Sequence, residues 1–214
     1  MLPAQAAHLS QGAAAYLGVV RVGEVREGDT VFVTSAAGGV GSLAGQIAKL
    51  RGAARVIGST SSQRKADFLT EELGYDAAVL RGAGSLTEQL RAAAPDGLDV
   101  VVDHVGGEQL EAAIAVARRG ARIAMIGALA GQLGDAPAAK IDPVAVITGD
   151  LTLRGASLYN HFDIVPEWTE VFGRGLRDGT LTFPRTVLKG LDQAPRALRE
   201  LTEGKLTGSV HVEL

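Results

Sequence analysis

Apolar, β-branched runs alternate with helix-period segments along most of the chain, the pattern of a parallel sheet with helical crossovers. Thr30–Val33 is the first strand, and residues 41–51 continue as a helix with Leu43, Ile47 and Leu50 on one face. Residues 55–58 form a second strand and 63–73 a second helix, closed by Gly74 where a left-handed C-cap is required. Ala77–Leu80 is a short third strand before a helix over 85–93. Leu98–Asp103 is the near-continuous apolar run of a strand covered on both faces. A helix over 109–118 leads to a fifth strand at 121–126. Residues 152–158 make a sixth, followed by an amphipathic helix around 166–177. Residues 4–20 read as a lead-in helix, and 127–143, rich in glycine and alanine, as a loop. A helix over 191–201 and a strand over 208–214 look like an appendage.

Six strands joined by helices give an α/β, doubly wound Rossmann fold, a parallel sheet in the order 3-2-1-4-5-6 with the ligand at the switch point. The expected division is a lead-in helix over 1–22, a nucleotide-binding domain over 23–182 and a C-terminal helix–strand segment over 183–214. Composition agrees: 214 residues, 46% of them hydrophobic, suit one good-sized domain, and 28 glycines suit many tight turns. A net charge of −3 without any basic block argues against nucleic acid as a partner. The absence of cysteine excludes disulfides and thiolate metal sites. No apolar run is long enough to span a membrane, and Met1-Leu2-Pro3-Ala4 lacks the layout of a signal peptide. A soluble cytoplasmic protein without a membrane partner is expected.

Chemistry concentrates at the first strand-to-helix junction. Ala36, Ala37, Gly38, Gly39, Val40 and Gly41 follow the dinucleotide spacing G-x-G-x-x-G, with alanine in place of the first glycine. Small residues let the backbone approach a pyrophosphate, whose charge rests on the N–H groups and positive dipole end of the next helix. NAD enzymes usually place an acid at the end of the second strand. Here Ser59, Thr60 and Ser61 stand there instead, followed by Arg64 and Lys65. A carboxylate would repel a 2′-phosphate, whereas hydroxyls and cations would bind it, so NADP(H) is expected over NAD(H). The alternative for Arg64 and Lys65 is a pair of solvated first-turn residues, although cations there oppose the helix dipole.

These residues, with Gly45-Gln46-Ile47-Ala48-Lys49 and Glu72-Leu73-Gly74-Tyr75-Asp76-Ala77-Ala78, resemble the zinc-independent medium-chain dehydrogenase/reductase superfamily. The match is closest in its prostaglandin reductase and alkenal/one double-bond reductase branch, with quinone oxidoreductases next. Val105-Gly106-Gly107, Leu153-Arg154-Gly155 and Gly204-Lys205-Leu206-Thr207-Gly208 extend it. The resemblance implies an NADPH-dependent oxidoreductase that reduces the activated C=C bond of enones, enals or quinones, with hydride added at the β-carbon and a proton at the α-carbon. It puts Lys65 on the family's 2′-phosphate lysine and Arg81 where many members carry a tyrosine beside that phosphate. Gly127 and Ala128 would lie against the nicotinamide, with His104 and Val105 at the neighbouring strand end. For His104 a hydrogen-bonded loop histidine is the alternative.

The departures from the family shape the expectations too. The family's N-terminal GroES-like domain has no counterpart in this sequence, which removes most of the substrate pocket's other wall. Phe162 stands where double-bond reductases often carry a tyrosine, so that role is empty or passes to Tyr159 or His161, the two catalytic candidates. Both could equally be loop residues capping the helix near Pro166. Leu206 replaces the asparagine of the family's Gly-Lys-Asn-x-Gly signature. His8, His104, His161 and His211 show no ligand spacing, and no metal site is expected. A final strand with no partner would favour self-association, a homodimer. The alternative function is a non-catalytic NADP(H)-binding module or sensor.

Overall fold

The computed structural model describes residues 9–132 and 138–214. Strands β1 (Thr30–Val33), β2 (Arg55–Thr60), β3 (Ala77–Leu80), β4 (Leu98–Asp103), β5 (Ala117–Met125) and β6 (Thr152–Gly155) form one sheet. Their order is β3-β2-β1-β4-β5-β6 and every pairing is parallel, as the alternation of elements requires. The helices are α1 (Gln11–Tyr16), α2 (Gly41–Leu50), α3 (Gln63–Asp67), α4 (Leu86–Ala93), α5 (Gly107–Val116), α6 (Leu129–Gln132), α7 (Pro143–Thr148), α8 (Val165–Asp178) and α9 (Ala194–Thr202).

The two-residue period of the strands divides the core. Val31, Val33, Val100, Val102 and Ala124 face a cluster that includes Leu43 and Ile47 of α2 and Trp168 and Phe172 of α8. Phe32, Ile57, Val101 and Ile123 face the opposite cluster, with Leu86 and Leu90 of α4 and Leu110 of α5. Both faces are therefore dry, and each such side chain contributes about 1.5–3 kcal/mol. The chain order reverses between β1 and β4, which opens a crevice at their carboxyl ends.

Several boundaries differ from expectation. α1 runs on into wider, π-type turns over Leu17–Val22, and α3 does the same over Phe68–Glu72. The start of the expected lead-in helix, residues 4–8, lies outside the described residues. α5 starts at Gly107 and stops at Val116, because Ala117 takes extended angles (φ −63°, ψ 138°) and opens β5 early. The sixth strand ends at Gly155, and Leu158–Asn160 is a single 3₁₀ turn. The stretch read as a loop contains α6, its residues 133–137 lie outside the described ones, and α7 begins at Pro143. Asp142 caps α7 by accepting the Val144 N–H at 2.8 Å.

The expectation of an unpaired final strand is wrong. β8 (Ser209–Glu213) pairs in parallel with β7 (Arg185–Lys189), a strand the sequence reading did not assign. Pro184 and Gly190 bracket it and cations stand at both ends, so only Val187 and Leu188 mark it as a strand. The pair docks on the glycine-rich turn: Gly208 N donates to Ala37 O at 2.8 Å, and Gly38 and Gly208 form a bridge. No described helix is long and apolar enough to cross a membrane.

Candidate functional site

The turn after β1 is held from β2. Ser35 stands at φ 47°, in the left-handed region, and its N–H donates to Ser59 Oγ at 2.8 Å. Ala36 N donates to Ser59 O at 2.8 Å, and the Ser59 hydroxyl donates to Gln109 Oε1. Ala36 is wholly buried, and a Cβ built on Gly58 of β2 would lie 2.5 Å from its methyl. Gly58 thus clears the space taken by the alanine that replaces the motif's first glycine. Gly41 brings α2 against the same residue, since a Cβ there would sit 2.5 Å from Ala36 Cα. No side chain caps the first turn of α2, whose Ser42, Leu43 and Ala44 N–H groups donate to the Gly38 and Val40 carbonyls, so the positive end of its dipole faces the turn.

Across the crevice, Asp103 anchors the end of β4. It accepts the Thr34 hydroxyl at 2.9 Å and the N–H groups of Val105 at 3.1 Å and Gly106 at 3.0 Å. Thr34 Oγ1 in turn accepts His104 N at 3.0 Å, which fixes the histidine beside β1.

A cavity of about 420 Å³ fills the crevice. Of the expected cofactor residues, Ala37, Gly38, Gly39, Val40, Thr60, Ser61, Lys65, Arg81, His104, Gly127 and Ala128 line it. Ala36, Gly41, Ser59, Arg64 and Val105 do not: the first three shape the turn, and Arg64 Nη2 donates to Lys205 O at 3.0 Å. The sequence reading missed Gln11, Ser35, Ile126, Leu129, Leu198, Leu201, Thr202 and Gly204 as lining residues, and it flagged Leu206 only as a departure from the motif. The apolar pair Leu198 and Leu201, one turn apart on α9, was the signal available for the C-terminal wall.

The electrostatics of the cavity are one-sided. Lys65 is only 6% exposed, and burial, then the charges of Arg64 and Arg81, hold its ammonium below its usual range. Among the described residues neither Lys65 nor Arg81 has a carboxylate partner. Burial also pushes His104 down from 6.5 to about 4, against the opposing pull of Asp103 and the Ser35 carbonyl, so its ring is neutral near pH 7. His104 Nδ1 and Gln11 Oε1 are buried at this wall without hydrogen-bond partners.

A second cavity of about 780 Å³ lies beside the first and shares Ile126, Gly127 and Ala128 with it. Tyr159 and Phe162 line it, 83% and 57% exposed, with their rings edge-to-face at 6.0 Å. His161 does not line it.

A family model described as zinc-binding dehydrogenase matches residues 39–174, from the glycine-rich turn into α8. The chain belongs to the zinc-binding dehydrogenase family. It is 34% identical over 212 residues to prostaglandin reductase 1 of Bos taurus, covering 94% of this chain and 62% of that protein. It is 32% identical over 199 residues to (+)-pulegone reductase of Mentha piperita, covering 92% and 58%. The structure of CurA in complex with NADPH from Vibrio vulnificus superposes with a TM-score of 0.88 at 28% identity, covering 100% of this chain and 66% of that one. The chain spans about three-fifths of the length of the curated relatives it matches.

The described residues contain no group of three or more histidine, cysteine, aspartate or glutamate side chains able to hold a metal. They fit a phosphorylated dinucleotide: a glycine cradle at the turn before α2, two cations without carboxylate partners, and two buried polar atoms, Gln11 Oε1 and His104 Nδ1, without hydrogen-bond partners.

Proposed function

We propose that this chain binds NADP(H) in the crevice and serves a zinc-independent reductase of the activated C=C bond of enones, enals or quinones. The observation that carries the reading is the meeting of two cavities at Ile126, Gly127 and Ala128, one cationic and polar, the other apolar. Relatives named as pulegone, prostaglandin and 2-alkenal reductases, and NADPH-bound structural neighbours, support it. The reaction adds a hydride at the β-carbon and a proton at the α-carbon, and the bound cofactor supplies the hydride.

The chain's own residues then divide the work. Lys65 and Arg81 hold the 2′-phosphate, and the backbone of Gly38 and Gly39 accommodates the pyrophosphate. Gly127 leaves room for a flat ring: a Cβ there would sit 3.0 Å from His104 O. Tyr159 brings the only phenol to the apolar cavity among the described residues, and its hydroxyl orients the substrate carbonyl. Phe162 cannot donate that bond, and His161 lies off the wall. We further propose that copies of the chain pair through β6, whose outer edge carries no strand among the described residues and whose neighbour α7 exposes Val144 and Ile147. A strictly monomeric mass by light scattering would remove the dimer.

The test is calorimetric titration with NADPH and NADH, followed by NADPH oxidation at saturating cofactor with a panel of enals, enones and quinones. Tighter NADH binding overturns the cofactor assignment. Tight NADPH binding without turnover on any acceptor favours the binding-module reading instead. Tyr159→Phe is expected to lower kcat by roughly tenfold while leaving NADPH affinity unchanged.

A further inference from the structure

The two cavities differ in charge as sharply as in shape. Lys65 and Arg81 face the first, whereas no lysine, arginine, histidine, aspartate or glutamate among the described residues lines the second. Its walls are Leu9, Leu17, Met125 and Leu158, with the exposed aromatic pair Tyr159 and Phe162. The polar side chains there are hydroxyls, those of Ser10, Ser157 and Tyr159. A carboxylate brought onto such a wall loses water and gains no counter-ion. The space of about 780 Å³ is open on one side, where Tyr159 and Phe162 stand exposed, and a four-carbon enal would leave most of it unfilled. Edge-to-face aromatic pairs at a cavity wall offer flat surfaces on which further rings stack.

We infer that this chain selects uncharged acceptors carrying aromatic rings at its second cavity and discriminates against carboxylate-bearing ones. The inference rests on the reductase reading above and goes beyond it by naming charge and ring content as what the wall reads. Phe162 and Tyr159 are then specificity residues. The ring of Phe162 supplies stacking area at the position where a tyrosine would have added a donor. Selection against anions follows from the lack of a cation among the described lining residues and needs no clash.

The experiment uses the full chain saturated with NADPH, titrated calorimetrically with chalcone, 4-carboxychalcone and crotonaldehyde. Chalcone is expected to bind at least about tenfold more tightly than either of the others. Phe162→Ala should weaken chalcone by about fivefold and leave NADPH affinity unchanged. Phe162→Arg should raise affinity for 4-carboxychalcone by about tenfold, because it adds the counter-ion the wall lacks. Equal or tighter binding of the carboxylate by the unaltered chain overturns the inference, as does the failure of chalcone to bind a chain that holds NADPH. Failure of NADPH itself to bind strikes the reductase reading, and chalcone against 4-carboxychalcone titrated without cofactor still reads the wall alone.

Discussion

Lys65 and Arg64 are adjacent in sequence and opposite in circumstance. Lys65 is buried at the cavity wall without a carboxylate, while Arg64 is exposed and donates to the Lys205 carbonyl. Lys65→Ala is therefore expected to cost about tenfold or more in NADPH affinity and little in NADH affinity. Arg64→Ala should change NADPH affinity by less than about threefold, since that side chain does not line the cavity. Calorimetric titration of the two variants with both cofactors checks the contrast. His104 makes a separate prediction in pH. Its native pKa of about 4 lies below the ordinary 6.5, so as pH falls the unfolded chain takes up a proton that the native one refuses. Stability from this group is complete above pH 6.5 and drains away toward pH 4, at a cost on the order of 3 kcal/mol. In denaturant melts at pH 7 and pH 4.5, His104→Asn should lose less stability on acidification than the unaltered protein.

At the scale of elements, the β1 turn and the end of β4 form one clamp. Thr34→Val leaves Asp103 buried without its hydroxyl donor and is expected to destabilise the fold by about 1–3 kcal/mol. The Ala36–Gly58 contact allows a sharper test. Gly58→Ala alone overpacks the turn by about 1–3 kcal/mol, and adding Ala36→Gly should recover only part of that loss, because Tyr75 Cε1 and Leu69 Cδ1 would still lie 2.9 and 3.0 Å from the new methyl; a double-mutant cycle by chemical unfolding would read the Ala36 share. The strands β1, β3 and β4 were legible to the residue because their apolar runs are short and bounded by turn residues. The junction of α5 and β5 was not, because Arg118, Arg119 and Gly120 fit a helix end as well as an exposed strand start. β7 escaped because its order comes from pairing with β8, twenty-odd residues on, and from no local pattern. The cofactor cavity was read through a turn whose chemistry is local. Gln11, Leu198 and Leu201 reach it from distant segments, so only the folded chain brings them there.

At the scale of the molecule, the C-terminal unit meets the nucleotide crevice through Gly208 N on Ala37 O and the Arg64–Lys205 bond, and packs Phe183 edge-to-face on Phe172 of α8 at 5.5 Å. Gly208 sits at φ 65°, and a Cβ on it would lie 2.2 Å from Pro184 O. Gly208→Ala should therefore loosen the β7–β8 pair from the turn, increase proteolysis within residues 183–214 and weaken NADPH binding by about tenfold. Unchanged proteolysis with weaker binding would instead place the effect in the turn itself. Among the described residues the two cavities share lining only at Ile126, Gly127 and Ala128. On the reductase reading, that narrow seam gives the scaffold a modular character: the choice of electron carrier and the choice of acceptor can drift independently, generation by generation, without one set of changes spoiling the other.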